Sequence, residues 1–246
     1  MERQHFIQEL DQLKMTILNM AAMTRRALEK AMQSYRQRND ALAREVIEGD
    51  RKINELELEV DKASLRLLAL EQPMARDLRF IIGTTKISNE LERIADQAVN
   101  IAERTQFLCQ PPRMEPVPAM DQLMGVAGSM LNKAVSSLLN LDPKEAQEIR
   151  QMDDQADLFT LEVLQTLIDY MVQSTPTAEK RLLNTRRSIQ TIIISRCLER
   201  VADLSVNIGE HVAFIVTGTN IKHRQISIAV DSCPFDPTAL RAAGPQ

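Results

Sequence analysis

The sequence predicts an all-α fold of two tandem three-helix bundles, which an internal repeat relates by a pseudo-twofold axis. Prolines, which cost about 3 kcal/mol inside a helix, divide the chain into long segments. Within these segments apolar residues recur at helical spacing, as in Ile87, Leu91 and Ile94. A repeated phrase indicates two similar units, because LERIADQAVNIAER at 91–104 returns as LERVADLSVNIGEH at 198–211.

The first bundle is predicted over residues 1–110, with helices at 4–37, 40–71 and 76–108. Asp40 is a favourable helix-start residue and separates the first helix from the second. Pro73 marks the turn into the third helix. The third helix carries the apolar seam described above, which is expected to face a core.

The second bundle is predicted over residues 119–223, with helices at 119–141, 143–174 and 178–216. A proline-rich linker at 111–118 precedes it, and a tail at 224–246 is expected to be mobile. Pro143 opens the fifth helix where Asp40 opens the second, 103 residues earlier. The repeated phrase is shifted by 107 residues instead, so the second half has four extra residues between its second and third helices.

Composition narrows the class of protein. The net charge is -4, basic residues are interspersed with acidic ones, and aromatic residues make up 3% of the chain, so nucleic acid is not an expected partner. From the charged start MERQHFIQEL and the lack of a long apolar run, we expect neither a signal peptide nor a membrane span. Three widely spaced cysteines fit a reducing compartment, so we expect a cytoplasmic protein.

Four pairs of polar residues predict metal sites. Residues four apart lie one turn above each other on a helix, so each pair directs two oxygens the same way. Antiparallel packing within each half would also bring the pairs on its second and third helices to the same height. The pairs are Asp50 with Asn54, Glu92 with Asp96, Asp153 with Asp157, and Glu199 with Asp203.

Clustered carboxylates repel unless a cation lies among them. Oxygen ligands without Cys or His suit Mg, Ca, Mn or Fe, and Zn also accepts carboxylates. The second half offers four carboxylates and the first offers three plus an amide, so the second site is expected to bind more tightly. The alternative is that these acids are solvated and paired with surface arginines such as Arg93 and Arg196. His211 is expected at the surface, outside the sites.

The sequence lacks the motifs of several common enzyme classes. A di-iron oxidase on a helical bundle would need Glu-x-x-His, and none of the three histidines has Glu three residues before it. The sequence also lacks the phosphate-binding G-x-x-x-x-G-K motif and the nucleophile motif G-x-S-x-G. A non-enzymatic binding or regulatory protein is therefore expected. The alternative is a metal-storage or metal-dependent hydrolytic protein that uses the acidic pairs.

The doubled E-x-x-x-D phrase, together with QPMARDLR at 72–79 and TGTNIKH at 217–223, resembles the PhoU family of phosphate-transport accessory proteins. The resemblance implies two tandem three-helix bundles, with iron or zinc bound at the acidic motifs. The ligands carried over are the seven acids named above, while Asn54 departs from the family motif and puts full occupancy of the first site in doubt.

The same resemblance implies a negative regulator of phosphate uptake and of the phosphate-starvation response. The expected partners are a phosphate ABC transporter, on its cytoplasmic side, and a sensor histidine kinase. Contact with the membrane would then be peripheral only. We also expect a homodimer.

Overall fold

The computed structural model describes residues 2–172 and 177–219, which form six α-helices and no strand. The helices are α1 (Glu2–Gln37), α2 (Asp40–Glu71), α3 (Ala75–Cys109), α4 (Pro118–Asn140), α5 (Pro143–Val172) and α6 (Ala178–Thr217). The all-α prediction is confirmed, and the helix ends differ from the predicted ones by at most two residues. The predicted tail, 224–246, and the end of the predicted fifth helix, 173–174, lie outside the described residues.

Local signals in the sequence set the helix ends. The Asn39 side chain accepts a hydrogen bond from the backbone N–H of Leu42 at 3.0 Å and so caps α2. Pro118 lies in the first turn of α4, where a backbone N–H would have no partner within the helix. Helix α6 begins after a Thr177 cap and ends at Gly218, whose φ of 75° favours glycine.

The helices pack as two bundles, since α1, α2 and α3 contact one another and α4, α5 and α6 do the same. The bundles meet where α3 packs on α6 and α1 packs on α4. The predicted seam of α3 is fully buried at Leu91 and Ile94, and Leu198 and Val201 are buried likewise on α6. Helices α2 and α5 contact only helices of their own bundle, so each keeps an outer face.

These outer faces expose apolar side chains at equivalent positions. Leu58 on α2 and Leu161 on α5 lie 103 residues apart and are 56% and 63% exposed. Leu65 and Ile168 repeat this relation and are also exposed. These exposed apolar side chains do not make either helix a membrane span. No helix within 2–172 and 177–219 is long and apolar enough to cross a membrane.

A buried polar pair in the α3–α6 contact corrects one prediction. His211 is expected at the surface from the sequence, but its side chain is buried because its face of α6 packs on α3. Its Nε2 lies 3.8 Å from Oε1 of Glu90, which is also buried. The other oxygen of Glu90 accepts a hydrogen bond from Arg93 at 2.9 Å. The contact between Glu90 on α3 and His211 on α6 therefore links the two bundles.

Gly83→Ala is expected to weaken the α3–α6 contact. A Cβ at position 83 would lie 2.3 Å from Cγ1 and 2.6 Å from Cδ1 of Ile215, so that side chain would have to move. We expect a loss of about 1 kcal/mol in the free energy of unfolding by urea, as overpacked cores show. Gly125→Ala is the matched control, because nothing lies within 4 Å of a Cβ there. The control should gain about 0.5–1 kcal/mol from helix propensity, and equal effects of the two changes would contradict the close approach.

Candidate functional site

Two acidic clusters lie at the flanks of the α2–α3 and α5–α6 contacts. The first acidic cluster consists of Asp50, Asn54, Glu57, Glu92 and Asp96. The second acidic cluster consists of Asp153, Asp157, Glu199 and Asp203. Each of the eight residues predicted from the sequence thus lies in one of the two clusters.

In the first acidic cluster, α2 and α3 bring the predicted residues together. Burial raises the pKa of Asp50, a hydrogen bond from Asn54 Nδ2 at 2.9 Å lowers it, and the Asp96 carboxylate raises it again. Burial also raises the pKa of Glu92, and Asp96, Glu57 and Asp50 raise it further. Mutual effects of this kind require carboxylates that lie near one another.

Glu57 is a member of the first acidic cluster that the sequence analysis missed. Burial raises the pKa of Glu57, as do the carboxylates of Asp61 and Asp96. The position follows Asn54 by three residues and so lies on the same side of α2, which is the signal that could have found it. The equivalent position in the second half is Thr160, so a comparison of the two repeats does not reveal Glu57 as an acidic position. The first acidic cluster therefore also has four carboxylates, which removes the reason given above for tighter binding at the second.

The second acidic cluster holds the acid with the most strongly raised pKa, Asp153. The pKa of Asp153 is raised to about 6, mainly by burial and further by the carboxylates of Asp203 and Asp157. Burial raises the pKa of Asp203, again with a contribution from Asp157. Burial also raises the pKa of Glu199, although the nearby Arg196 guanidinium opposes that rise. The ionisation of Asp153, Asp203 and Glu199 is thus opposed by neighbouring carboxylates across the α5–α6 contact.

Arginines offset these charges only in part. Arg196 pairs with Glu199 at 2.6 Å, whereas Arg93 pairs with Glu90 outside the first acidic cluster. In the part of the chain that the structure describes, no carboxylate of the first acidic cluster has a lysine or arginine nitrogen within 4.0 Å. The alternative of solvated acids therefore still describes Asp96, Asp157 and Asp203, which are exposed, and Arg196 pairs with Glu199.

Each acidic cluster contains at least one buried oxygen without a hydrogen-bond donor among the residues that the structure describes. Oδ1 of Asp50, Oδ1 of Asn54 and Oδ1 of Asp153 are buried and accept no hydrogen bond from the described residues. A buried acceptor without a donor costs about 1–3 kcal/mol, which a bound cation would offset. As placed within the described ranges, however, no three Asp, Glu, His or Cys side chains converge closely enough to hold one ion. Side chains of each cluster would have to rotate toward one another to bind it.

Asp153→Asn is expected to stabilise metal-free protein at neutral pH. The pKa of Asp153 is about 6 in the folded chain against an ordinary 3.8, so the folded state binds the proton more tightly. Stability from this group is therefore greatest below pH 4 and falls as the pH rises to about 6. Because the side chain is partly exposed, we expect a difference of about 1 kcal/mol between the variant and the parent at pH 7.5, vanishing near pH 4.

The measurement is urea unfolding at both pH values after treatment with a chelator. Glu162→Gln is the control, since this exposed acid carries the same charge on the same helix and lies outside the second acidic cluster. A variant that is less stable than the parent at pH 7.5 would contradict mutual repulsion in the second acidic cluster.

Comparison with known proteins identifies relatives of both halves. The family model described as PhoU domain matches residues 17–105 and again 120–212. A phosphate-specific transport system accessory protein PhoU homolog from Aquifex aeolicus is 32% identical, over 89% of this chain and 96% of its own length. The homolog from Zymomonas mobilis is 31% identical, over 89% of this chain and 90% of its own length.

Solved structures agree with the fold. The crystal structure of PhoU from Pseudomonas aeruginosa superimposes with a TM-score of 0.80 at 29% identity, covering 87% of this chain and 100% of that one. The phosphate transport system regulatory protein PhoU from Streptococcus pneumoniae gives a TM-score of 0.77 at 26% identity, covering 87% and 98%. The tandem arrangement of two three-helix bundles is therefore shared with these proteins.

Proposed function

Because the chain belongs to the PhoU family, we propose that it is a negative regulator of high-affinity phosphate uptake and of the phosphate-starvation response. The observation that carries the proposal is the family domain present twice, together with relatives that align over nearly their whole length. Those relatives are named as accessory proteins of phosphate-specific transport. We place the protein in the cytoplasm, in peripheral contact with the membrane through its partners.

We propose that the protein acts as an adaptor between a phosphate ABC transporter and a sensor histidine kinase. The outer faces of α2 and α5 support this role, because they expose apolar side chains that no other described helix covers. The faces are equivalent under the repeat, so one chain offers two similar surfaces to partners. Apolar helical faces of this kind dock into grooves of other proteins. Whether the protein pairs as a homodimer stays a prediction.

We also propose that each acidic cluster binds metal, with iron or zinc expected and Mg, Mn or Ca as alternatives. The unpartnered oxygens and the raised pKa values of the acids support this assignment. A bound cation would offset the repulsion between carboxylates and join α2 to α3 and α5 to α6. We assign the ion a structural role and the chain no catalysis.

Deleting the gene tests the regulatory role. The starvation response, followed with a reporter in phosphate-rich medium, should stay switched on in the deletion strain and be repressed again when the gene is restored. Normal repression in the deletion strain would overturn the proposal. Phosphatase or oxidase turnover by purified protein supplied with Fe, Mn or Zn would instead favour the alternative of a metal-dependent enzyme.

Leu58→Glu combined with Leu161→Glu is expected to abolish repression while leaving the fold intact. Both side chains are more than half exposed, so the charges cost little in the free protein but would be buried against a partner. Leu139→Glu on α4 is the matched control, because Leu139 is 56% exposed like Leu58 but lies on neither outer face. The reporter strain and co-purification of the transporter are the measurements. Full repression by the double variant would exclude these faces from docking.

A further inference from the structure

A second candidate site lies where the two bundles are joined, well away from the acidic clusters. A cavity of about 320 Å³ opens between the end of α1, the end of α3, the linker, the start of α4 and the first half of α6. The linker segment Pro112–Val117 forms one of its walls. The volume is that of a site for a small molecule.

The cavity is rich in positive charge. Four arginines line it, against two acids: Arg36, Arg38, Arg113, Arg187, Glu115 and Asp121. Arg36 is paired with Asp121 at 3.0 Å. Among the described residues, the other three arginines form no ion pair with a carboxylate. The lining therefore keeps a surplus of two positive charges, in a chain that is acidic as a whole.

Arg187 is the most deeply placed of these groups, at 6% exposure. Its Nη1 donates to the carbonyl oxygen of Pro112 at 2.7 Å, and its Nη2 donates to the Tyr170 hydroxyl at 3.1 Å and to Oδ1 of Asn184 at 2.5 Å. Its Nε is buried and has no partner in the part of the chain that the structure describes. A buried cation without a counter-charge is costly. An anion in the cavity would supply the missing charge.

Hydrogen bonds to backbone carbonyls also hold Arg38 and Arg187 in position before any ligand binds. Arg38 donates from Nη2 to the carbonyl oxygens of Cys109 and Pro111, at the beginning of the linker. With Arg187 bound to Pro112, the linker fixes two guanidinium groups from different bundles. Side chains that are fixed in this way lose little freedom when they bind.

The remaining wall is apolar. Leu108, Pro116, Met120 and Met124 line it, together with Met114 from the linker. An inorganic anion would leave this part of the cavity unfilled. The combination favours a ligand with an anionic head group and an organic body.

We propose that this cavity binds a small phosphate monoester, whose head group lies against the arginines and whose organic part lies against the methionines. A phosphate monoester carries nearly two negative charges at neutral pH, which matches the surplus in the lining. Its oxygens also suit the planar fork of a guanidinium. The ligand would touch both bundles. This binding activity goes beyond the regulatory role and does not depend on it.

Isothermal titration of the full chain tests the proposal with adenosine 5′-monophosphate, glucose 6-phosphate and glycerol 3-phosphate. At least one should bind to a single site per chain with a Kd below about 1 mM. Inorganic phosphate and adenosine should bind more weakly, because the first lacks the organic part and the second lacks the phosphate group. Failure of all three esters would overturn the proposal, and equal or tighter binding of inorganic phosphate or succinate would overturn the assignment to a phosphate monoester.

Arg113→Gln and Arg187→Lys locate the site. Each should weaken binding by about tenfold or more, since Arg113→Gln removes a positive charge and Arg187→Lys removes the planar guanidinium fork. Arg113 is exposed on the linker, so its variant is expected to fold even if the change at buried Arg187 does not. Arg76→Gln is the control, an exposed arginine of α3 outside the cavity. Unchanged affinity in Arg113→Gln would place the ligand elsewhere, whatever the deletion strain shows.

Discussion

Replacing Asp153 and Asp203 together with alanine is expected to remove about half of the metal that the purified protein binds, because only the second acidic cluster loses its ligands. The first acidic cluster lies on α2 and α3 and keeps all of its carboxylates. The double variant should raise the stability of metal-free protein but lower the stabilisation that added metal provides. Metal-free protein should become more stable, because repulsion is relieved. The stabilisation gained on adding metal should fall, because one binding site is gone.

Glu162→Ala with Glu179→Ala is the control for this double variant. It removes the same charge from the same two helices, at exposed positions outside the second acidic cluster. Metal content is measured by mass spectrometry and stability by thermal unfolding with and without chelator. Equal metal in the two double variants would show that the second acidic cluster is not a metal site.

His211→Asp is expected to lower the free energy of unfolding by about 3 kcal/mol or more, because it buries a second carboxylate beside Glu90. The Glu90 carboxylate is held ionised by its surroundings. Burial alone would raise the pKa of Glu90, but the nearby His211 side chain and the charge of Arg93 lower it below its ordinary value. Two anions would then face each other in the contact between the bundles.

His5→Asp is the matched control for this charge change. His5 also lies beside a glutamate, with Nε2 3.2 Å from Glu9, but its side chain is 56% exposed. Solvent screens that pair, so we expect a change within about 1 kcal/mol. Adding Glu90→Gln to the His211→Asp chain should restore part of the lost stability. Equal losses for the two aspartate variants in urea unfolding would contradict a buried charged network.

Helix positions could be predicted closely because their signals are local. Pro118 and Pro143 begin α4 and α5, and the Asn39 side chain caps α2 just before Asp40. The positions of the acidic pairs along the axes of neighbouring helices could also be predicted. An antiparallel hairpin brings residues equally far from its turn to the same level, as Asp50 and Asp96 show.

Contacts that depend on how the bundles face each other could not be predicted. His211 is the last residue of the repeated phrase, but the packing of α3 on α6 decides that it is buried. Glu57 joins the first acidic cluster from the adjacent turn of α2, where the repeat offers no matching acid. The linker cavity arises because Arg38 and Arg187 come from different bundles, and no spacing in the sequence relates them.

Metal analysis of four chains tests the central claim, that each half of the repeat holds metal at its own acidic cluster. Wild-type protein is purified without chelators or added metal, beside Asp50→Ala with Asp96→Ala, Asp153→Ala with Asp203→Ala, and the variant that combines all four changes. The account predicts metal in the wild type, a part of it in each double variant, and none in the combined variant. Wild-type amounts of metal in the combined variant would contradict it.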